Sequence, residues 1–305
     1  MYVDGSIGKI TKRMKEVRLK SLEGSSISDE RRKEYRNVRN VRLGETLCDC
    51  GVFLLLRVYN AFIEMHDTNC CRGDKILENI IEISGVRKVY RVGNEKVVAL
   101  DNIDLTVEKG EFCCLLGTSG SGKSTLLNLM AGLEKPTRGQ IRIKNEYMEK
   151  LNEKKLAVFR QNNIGFVFQS YNLLPALTAL ENVSLPLAFK GIPRSIRDKR
   201  AKAMLEAVGL TSQLKRRPSQ MSGGQQQRVG IARAFVGKPE IVFADEPTGN
   251  LDSKTTREVM ELITSMARKH NQTLIIVTHD ITIAAYADKV IHIQDGNIEK
   301  VEIKQ

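Results

Sequence analysis

The sequence predicts an α/β fold with a small antiparallel β region at its start. Three observations carry that expectation. Apolar runs at residues 112–116, 164–168, 241–246 and 273–280 read as buried strands. Segments with apolar residues at helical spacing lie between and after them, at 126–132, 150–160, 195–208 and 229–236. A glycine-rich turn, residues 117–125, joins the first of these strands to the first helix.

Taken in order, residues 81–90 alternate apolar and polar side chains, as a half-buried strand does, and residues 97–107 alternate again. Glu108-Lys109-Gly110-Glu111 is a turn, so two antiparallel strands precede the glycine-rich loop. Residues 139–143 form a short strand behind the breaker Pro136-Thr137-Arg138. The strand 164–168 ends at Gln169. Residues 171–187 are expected to be irregular, because Pro175 and Pro186 interrupt an apolar stretch. The helix 195–208 stops at Gly209. Met221-Ser222-Gly223-Gly224-Gln225 then opens an amphipathic helix.

The chemistry starts at Gly117-Thr118-Ser119-Gly120-Ser121-Gly122-Lys123-Ser124-Thr125, which fits G-x-x-x-x-G-K-[ST] after a strand and before a helix. The glycines let successive N–H groups point inward, and the helix N-terminus adds partial positive charge there. Lys123 reaches the outer phosphates of a nucleoside triphosphate, and the Ser124 hydroxyl suits Mg²⁺. A glycine-rich turn without chemistry is the alternative, and Lys-Ser-Thr in register argues against it. Ser222-Gly223-Gly224 at a second helix start makes another anion site. Both sites could grip one γ-phosphate if two chains faced each other. Asp245 and Glu246 leave a buried strand together: the first can orient Mg²⁺, the second can accept a proton from attacking water. His279, at a strand end where α/β folds place ligands, can hydrogen-bond the γ-phosphate.

Composition narrows the setting. The chain has 305 residues, 41% hydrophobic and 28% charged, with a formal net charge of +12. Such a balance suits an anionic membrane surface, nucleic acid or a solvated surface, and charge alone does not choose. No apolar run reaches the ~18 residues that span a bilayer; the best attempt, 52–63, holds Arg57. No signal-peptide pattern is expected in the polar, basic first residues. Cys113 and Cys114 read as small core hydrophobes, which fits a reducing cytosol. Residues 1–79 read as a basic extension, disordered or weakly ordered, or as a product of start-site choice, with Met65 as an internal start. Cys48, Cys50, Cys70 and Cys71 could be metal thiolates, but their spacing matches no zinc pattern.

From residue 80 to the C-terminus the chain resembles the ATP-binding cassette (ABC) transport ATPases, in the Lys123 motif, Gln169, Ser222-Gly223-Gly224-Gln225, Asp245-Glu246 and His279. The serine-glycine-glycine-glutamine signature is not shared by other phosphate-loop classes; Met221 stands where Leu is usual. The resemblance implies a phosphate-loop core sheet, an antiparallel β subdomain and a helical signature subdomain over residues 80–305. It implies that Tyr90 stacks on adenine, that Gln169 contacts Mg²⁺ and senses a membrane subunit, that Glu246 is the catalytic base and His279 the switch histidine, and that Asp252 lies in a loop crossing a dimer interface. ATP and Mg²⁺ are the implied cofactors. The implied partners are a second copy and separate permease subunits, at the cytoplasmic face of the membrane, with no nucleic acid. Residues 164–169, 173–183 and 244–252 are similar to the group of macrolide exporters, lipoprotein-releasing ATPases, the division-associated ATPase and antimicrobial-peptide systems. Competing readings are a cassette acting on ribosomes or nucleic acid, motivated by the basic charge, and a phosphate-loop kinase or GTPase, for which the signature leaves little room.

Overall fold

The structure is a computed structural model that describes residues 78–304. The basic extension and its four cysteines therefore lie outside the described residues, apart from Glu78 and Asn79. β1 (Asn79–Val92) and β2 (Glu95–Glu108) form the expected antiparallel pair. β3 (Phe112–Leu116) follows, and the glycine-rich turn leads into α1 (Lys123–Met130). β4 (Arg138–Ile143) and the two-residue β5 (Glu146–Tyr147) complete a four-stranded sheet of order β2-β1-β4-β5. α2 (Glu153–Asn163) and β6 (Ile164–Phe168) come next.

A helical region then interrupts the sheet. It comprises α3 (Ala179–Phe189), α4 (Arg194–Ala207) and α5 (Gly223–Phe235). The chain returns through β7 (Ile241–Asp245), α6 (Ser253–Lys269), β8 (Thr273–Thr278), α7 (Ile281–Ala284), β9 (Lys289–Gln294) and β10 (Asn297–Ile303). The second sheet has six strands in the order β10-β9-β3-β8-β7-β6. Its pairings are parallel except β10 on β9.

Side chains alternate along a strand, so this sheet has two faces, and both are buried. Cys113, Leu115, Phe243, Ile275 and Val277 point to one face, where they meet Leu126 and Leu129 of α1 and Ile81 and Ile83 of β1. Cys114, Leu116, Val242, Ala244, Leu274 and Ile276 point to the other, packed with Val183, Leu205, Val229 and Ile263 from the helices. The continuous apolar runs in the sequence are the consequence. Burial pushes both thiols up, Cys114 to about 12, so they serve as core residues.

The stretch 171–187 departs from its irregular expectation. Residues up to 178 are loop, but α3 begins at Ala179 and runs through Pro186. Thr178 and Glu181 close a capping box, with the Thr178 N–H donating to the Glu181 carboxylate at 2.9 Å. Val183 and Leu187 are buried in the core below. Capping and packing together outweigh the proline's missing donor. Asn182, fully buried, ties the preceding loop to the helix. Its amide donates to the carbonyls of Leu174 (3.1 Å), Leu177 (3.2 Å) and Thr178 (3.0 Å), and its Oδ1 accepts the Leu174 N–H (2.8 Å).

Replacing Asn182 by Leu, of similar size, leaves the Leu174 N–H and the Leu177 carbonyl without a protein partner, while the Leu174 and Thr178 carbonyls keep the N–H groups of Leu177 and residue 182. Since one such unmet group costs about 1–3 kcal/mol, Asn182→Leu is expected to lower unfolding free energy by at least about 2 kcal/mol in chemical denaturation. A loss below about 0.5 kcal/mol, the size of an ordinary surface substitution, would contradict the assignment.

Candidate functional site

The parallel sheet brings the carboxyl ends of β3, β7 and β8 to one edge, and the chemistry gathers there. After Leu116 the chain turns tightly into α1. Gly122 has φ +100°, and a Cβ there would stand 2.5 Å from the Ala99 carbonyl oxygen. A Cβ at Gly117 would stand 2.2 Å from the Ile293 carbonyl oxygen. Only glycine fits either place. No side chain caps α1, whose first helical bond runs from the Leu126 N–H to the Gly122 carbonyl at 2.9 Å. The first-turn amides thus face outward at the positive end of the helix, ready for an anion.

Lys123 lies across this cradle. Its Nζ donates to the Thr118 carbonyl (2.6 Å) and to Ser121 Oγ (3.3 Å). Burial lowers its pKa, while the nearby Glu246 and Asp245 charges pull it back up. Ser124 Oγ donates to Asp245 Oδ1 at 3.4 Å. Burial raises the Asp245 pKa, and the Glu246 charge raises it further. Glu246 holds a left-handed backbone, φ +40°, fixed by its N–H on the Val277 carbonyl (2.9 Å) and its carbonyl on the Gly249 N–H (3.1 Å). Its Oε1 lies 2.9 Å from His279 Nδ1. Beside this pair opens a cleft of about 660 Å³, lined also by Leu251, Thr278, Asp280 and Tyr286.

Gln169 reaches the same loop from β6. A Cβ at Gly249 would meet its Nε2 at 2.8 Å, and its carbonyl accepts from Asn250 Nδ2 at 3.1 Å. Tyr90 is held at the far end of the turn. Its hydroxyl donates to Glu134 Oε2 (2.7 Å), and Lys88 Nζ stands 4.9 Å over its ring. Burial, then Glu134, raises the Tyr90 pKa.

The second anion turn is built differently. Ser222 caps α5, and Gln225 returns its side chain to the Ser222 N–H at 3.1 Å. Gln225 therefore braces the turn, and the Gly223 and Gly224 amides stay outside the capping box. A Cβ at Gly224 would touch Thr255 Cγ2 at 2.9 Å. Asp252 caps α6, accepting from the Lys254 and Thr255 N–H groups at 3.1 and 3.0 Å. Among the described residues no hydrogen bond joins 222–225 to the 117–125 turn.

The family model described as "ABC transporter" matches residues 100–249. An uncharacterized ABC transporter ATP-binding protein of Thermotoga maritima is 46% identical over 226 residues, 74% of this chain and 96% of that protein. The chain belongs to the ABC transporter family. It is an ATP-binding cassette and an ATPase of that family. A solved structure of the cassette MJ0796 "bound to ADP and Pi", in a dimeric post-hydrolysis state, has a TM-score of 0.70 at 43% identity, covering 74% of this chain and 99% of that one. The macrolide export ATP-binding/permease protein MacB of Rhodopirellula baltica is 45% identical over 219 residues, 71% of this chain but 32% of that protein. The relatives carry transporter or export names, which sets aside the ribosome or nucleic-acid alternative and the kinase or GTPase reading.

In this cassette three residues at the site escape motif reading. Glu134 fixes Tyr90. Gln227, fully buried in α5, donates its amide to the Pro247 carbonyl next to Glu246. Arg233 donates to the Tyr171 and Asn172 carbonyls beyond Gln169. The repeated amphipathic spacing of α5 signals its buried face but not these polar anchors.

The raised Asp245 pKa has a stability consequence. In the fold its charged form is penalised above the ordinary carboxylate range, and the penalty is relieved as pH falls through the folded value. Asp245→Asn is expected to raise the melting temperature of nucleotide-free protein at neutral pH, with the gain shrinking toward acid pH. An unchanged or lowered melting temperature would count against this electrostatic picture.

Proposed function

We propose that the chain is the ATP-hydrolysing subunit of a transporter of the macrolide-export or lipoprotein-releasing type, working as a pair of copies on separate membrane permease subunits at the cytoplasmic face. One observation carries the reading: the phosphate cradle, Asp245-Glu246 and His279 share one edge, while the Ser222-Gly223-Gly224 turn stands open with no bond to that cradle. A second copy would bring its own serine-glycine turn to the terminal phosphate.

In this reading Gly117 to Thr125 wrap the phosphates, Lys123 leaves its internal acceptors for the outer phosphate oxygens, and Tyr90 stacks on the adenine. Glu246 takes the proton of the attacking water, and His279, already bonded to Glu246, steadies the γ-phosphate. Ser124, Asp245 and Gln169 supply hard oxygen donors that suit Mg²⁺, and the raised Asp245 pKa marks a carboxylate that a cation would satisfy. When bound, Mg²⁺ would balance charge on the phosphate oxygens. Asp252, the cap of α6, ends the loop at which two copies would meet. Most of the barrier reduction comes from fixed charges and dipoles aimed at the phosphoryl group.

The permease reading rests on a groove of about 180 Å³ lined by Phe166, Phe168, Pro186, Lys190 and Arg233, with Phe189 71% exposed on α3 nearby. We assign this groove, next to Gln169, to a short helix of the permease. Among the described residues no helix is long and apolar enough to cross a membrane.

Lys123→Ala is expected to abolish ATP hydrolysis in a phosphate-release assay; full turnover would overturn the phosphate-loop assignment. Glu246→Gln is expected to keep ATP binding, to lose at least about 100-fold in kcat, the usual reach of a general base, and to accumulate as a dimer with ATP. A variant that stays monomeric at saturating ATP would refute the two-copy site.

A further inference from the structure

The segment after Gln169 is strained. Tyr171 has φ +59° and Asn172 φ +48°. An aromatic side chain in the left-handed region is an outlier that the surroundings must enforce. Arg233 of α5 enforces it. Its guanidinium donates to the Tyr171 carbonyl (2.8 Å) and the Asn172 carbonyl (2.5 Å), and it stands 5.9 Å over the Phe168 ring. Burial disfavours its charged form, so this charge is held inside for the two carbonyls it serves.

The conformation aims the Tyr171 ring at the start of the same helix. A Cβ on Gly223 would lie 2.8 Å from the Tyr171 hydroxyl, so the phenol packs directly against the first glycine of the second anion turn. Tyr171 is thus anchored at both ends of α5: its carbonyl by Arg233 near the C-terminus, its hydroxyl against Gly223 at the N-terminus. One residue, Ser170, separates it from Gln169, whose own carbonyl is held by Asn250.

We propose that Tyr171 is a positioning residue, which carries the placement of Gln169 to the Ser222-Gly223-Gly224 turn and so to the nucleotide of the partner copy. The proposal rests on the two-copy reading above. Gln169 responds to the nucleotide in its own chain, and any shift of its loop moves the phenol against Gly223. Because Gly223 has no side chain, its backbone takes that displacement directly. The second anion turn then meets the partner's phosphate only when its own chain is loaded.

The test uses Tyr171→Asn in the Glu246→Gln background. Asn tolerates the left-handed backbone, so the substitution removes the ring while leaving the loop conformation accessible. Two quantities are read: ATP affinity of the dilute monomer, by a fluorescent ATP analogue, and ATP-driven dimerisation, by sedimentation equilibrium with Mg²⁺. Monomer affinity is expected to stay within about twofold while dimerisation weakens about tenfold, inside the usual range of coupling between sites. Tyr171→Phe, which removes only the hydroxyl that reaches Gly223, is expected to dimerise more weakly than its parent and more tightly than Tyr171→Asn. Dimerisation of Tyr171→Asn as tight as in its parent would overturn the proposal, as would an equal loss of monomer ATP affinity, or a Phe variant as tight as the parent. Failure of the Glu246→Gln parent itself to dimerise would instead remove the two-copy reading and the proposal with it.

Discussion

The rest of the structure depends on how closely the 117–122 turn is pressed between its neighbours. Gly117 abuts the Ile293 carbonyl of β9, and Gly122 abuts the Ala99 carbonyl of β2. The β9–β10 turn closes over the top: the Gly296 N–H donates to the Ser121 carbonyl (3.0 Å), and the Gly296 carbonyl accepts the Asp101 N–H (2.9 Å). The antiparallel sheet, the sheet-edge hairpin and the parallel core therefore share one glycine-lined junction. That junction leaves the first amides of α1 uncapped and aimed at one point, an arrangement that favours an anion over any neutral partner.

Charge balance at that point explains the neighbouring residues. Lys123 and the helix end supply positive potential, and Asp245 and Glu246 supply negative charge that acts on it, with Ser124 Oγ 3.4 Å from Asp245 Oδ1. Lys123 rests on its own loop's carbonyl, and Glu246 holds a strained backbone. Functional sites store such strain where surrounding structure fixes it. Here α5 does much of that fixing, through Gln227 on Pro247 and Arg233 on the segment after Gln169. One buried helix thus steadies the loop after Glu246 and the loop after Gln169, and its own N-terminus presents the second anion turn. The Gln227 Oε1 has no partner, one of seven buried side-chain polar atoms left so among the described residues.

Much of this was legible in the residues because the chemistry demands them. Phosphate loops need glycine where a Cβ would strike backbone, and Gly117 and Gly122 are two such places. The doubly buried strands announced themselves as unbroken apolar runs, since both faces of β3, β7 and β8 are covered. The helix α3 was hidden because Pro186 argues against a helix locally, whereas the Thr178–Glu181 box and the buried Val183 and Leu187 decide it in three dimensions. The β9–β10 hairpin carries a turn signal, Asp295-Gly296 with φ +48° and +77°, between short apolar alternations. α6 likewise opens on the cap Asp252, followed directly by Ser253-Lys254-Thr255. Gln227 and Arg233 could not be picked out, because side chains that serve backbone carbonyls across a gap of many residues leave no spacing pattern behind them, and the packing of the Tyr171 hydroxyl against Gly223 leaves none either.

The central claim is that a single triphosphate is gripped by two chains, one by its glycine-rich turn and the other by its serine-glycine turn. The most direct measurement is a crystal structure of hydrolysis-deficient protein with ATP and Mg²⁺. The account predicts the terminal phosphate within hydrogen-bond distance of Lys123 in one copy and of Ser222 Oγ and the adjoining glycine amides in the other. A triphosphate contacted from one chain alone, with Ser222 open to solvent in both copies, would contradict it.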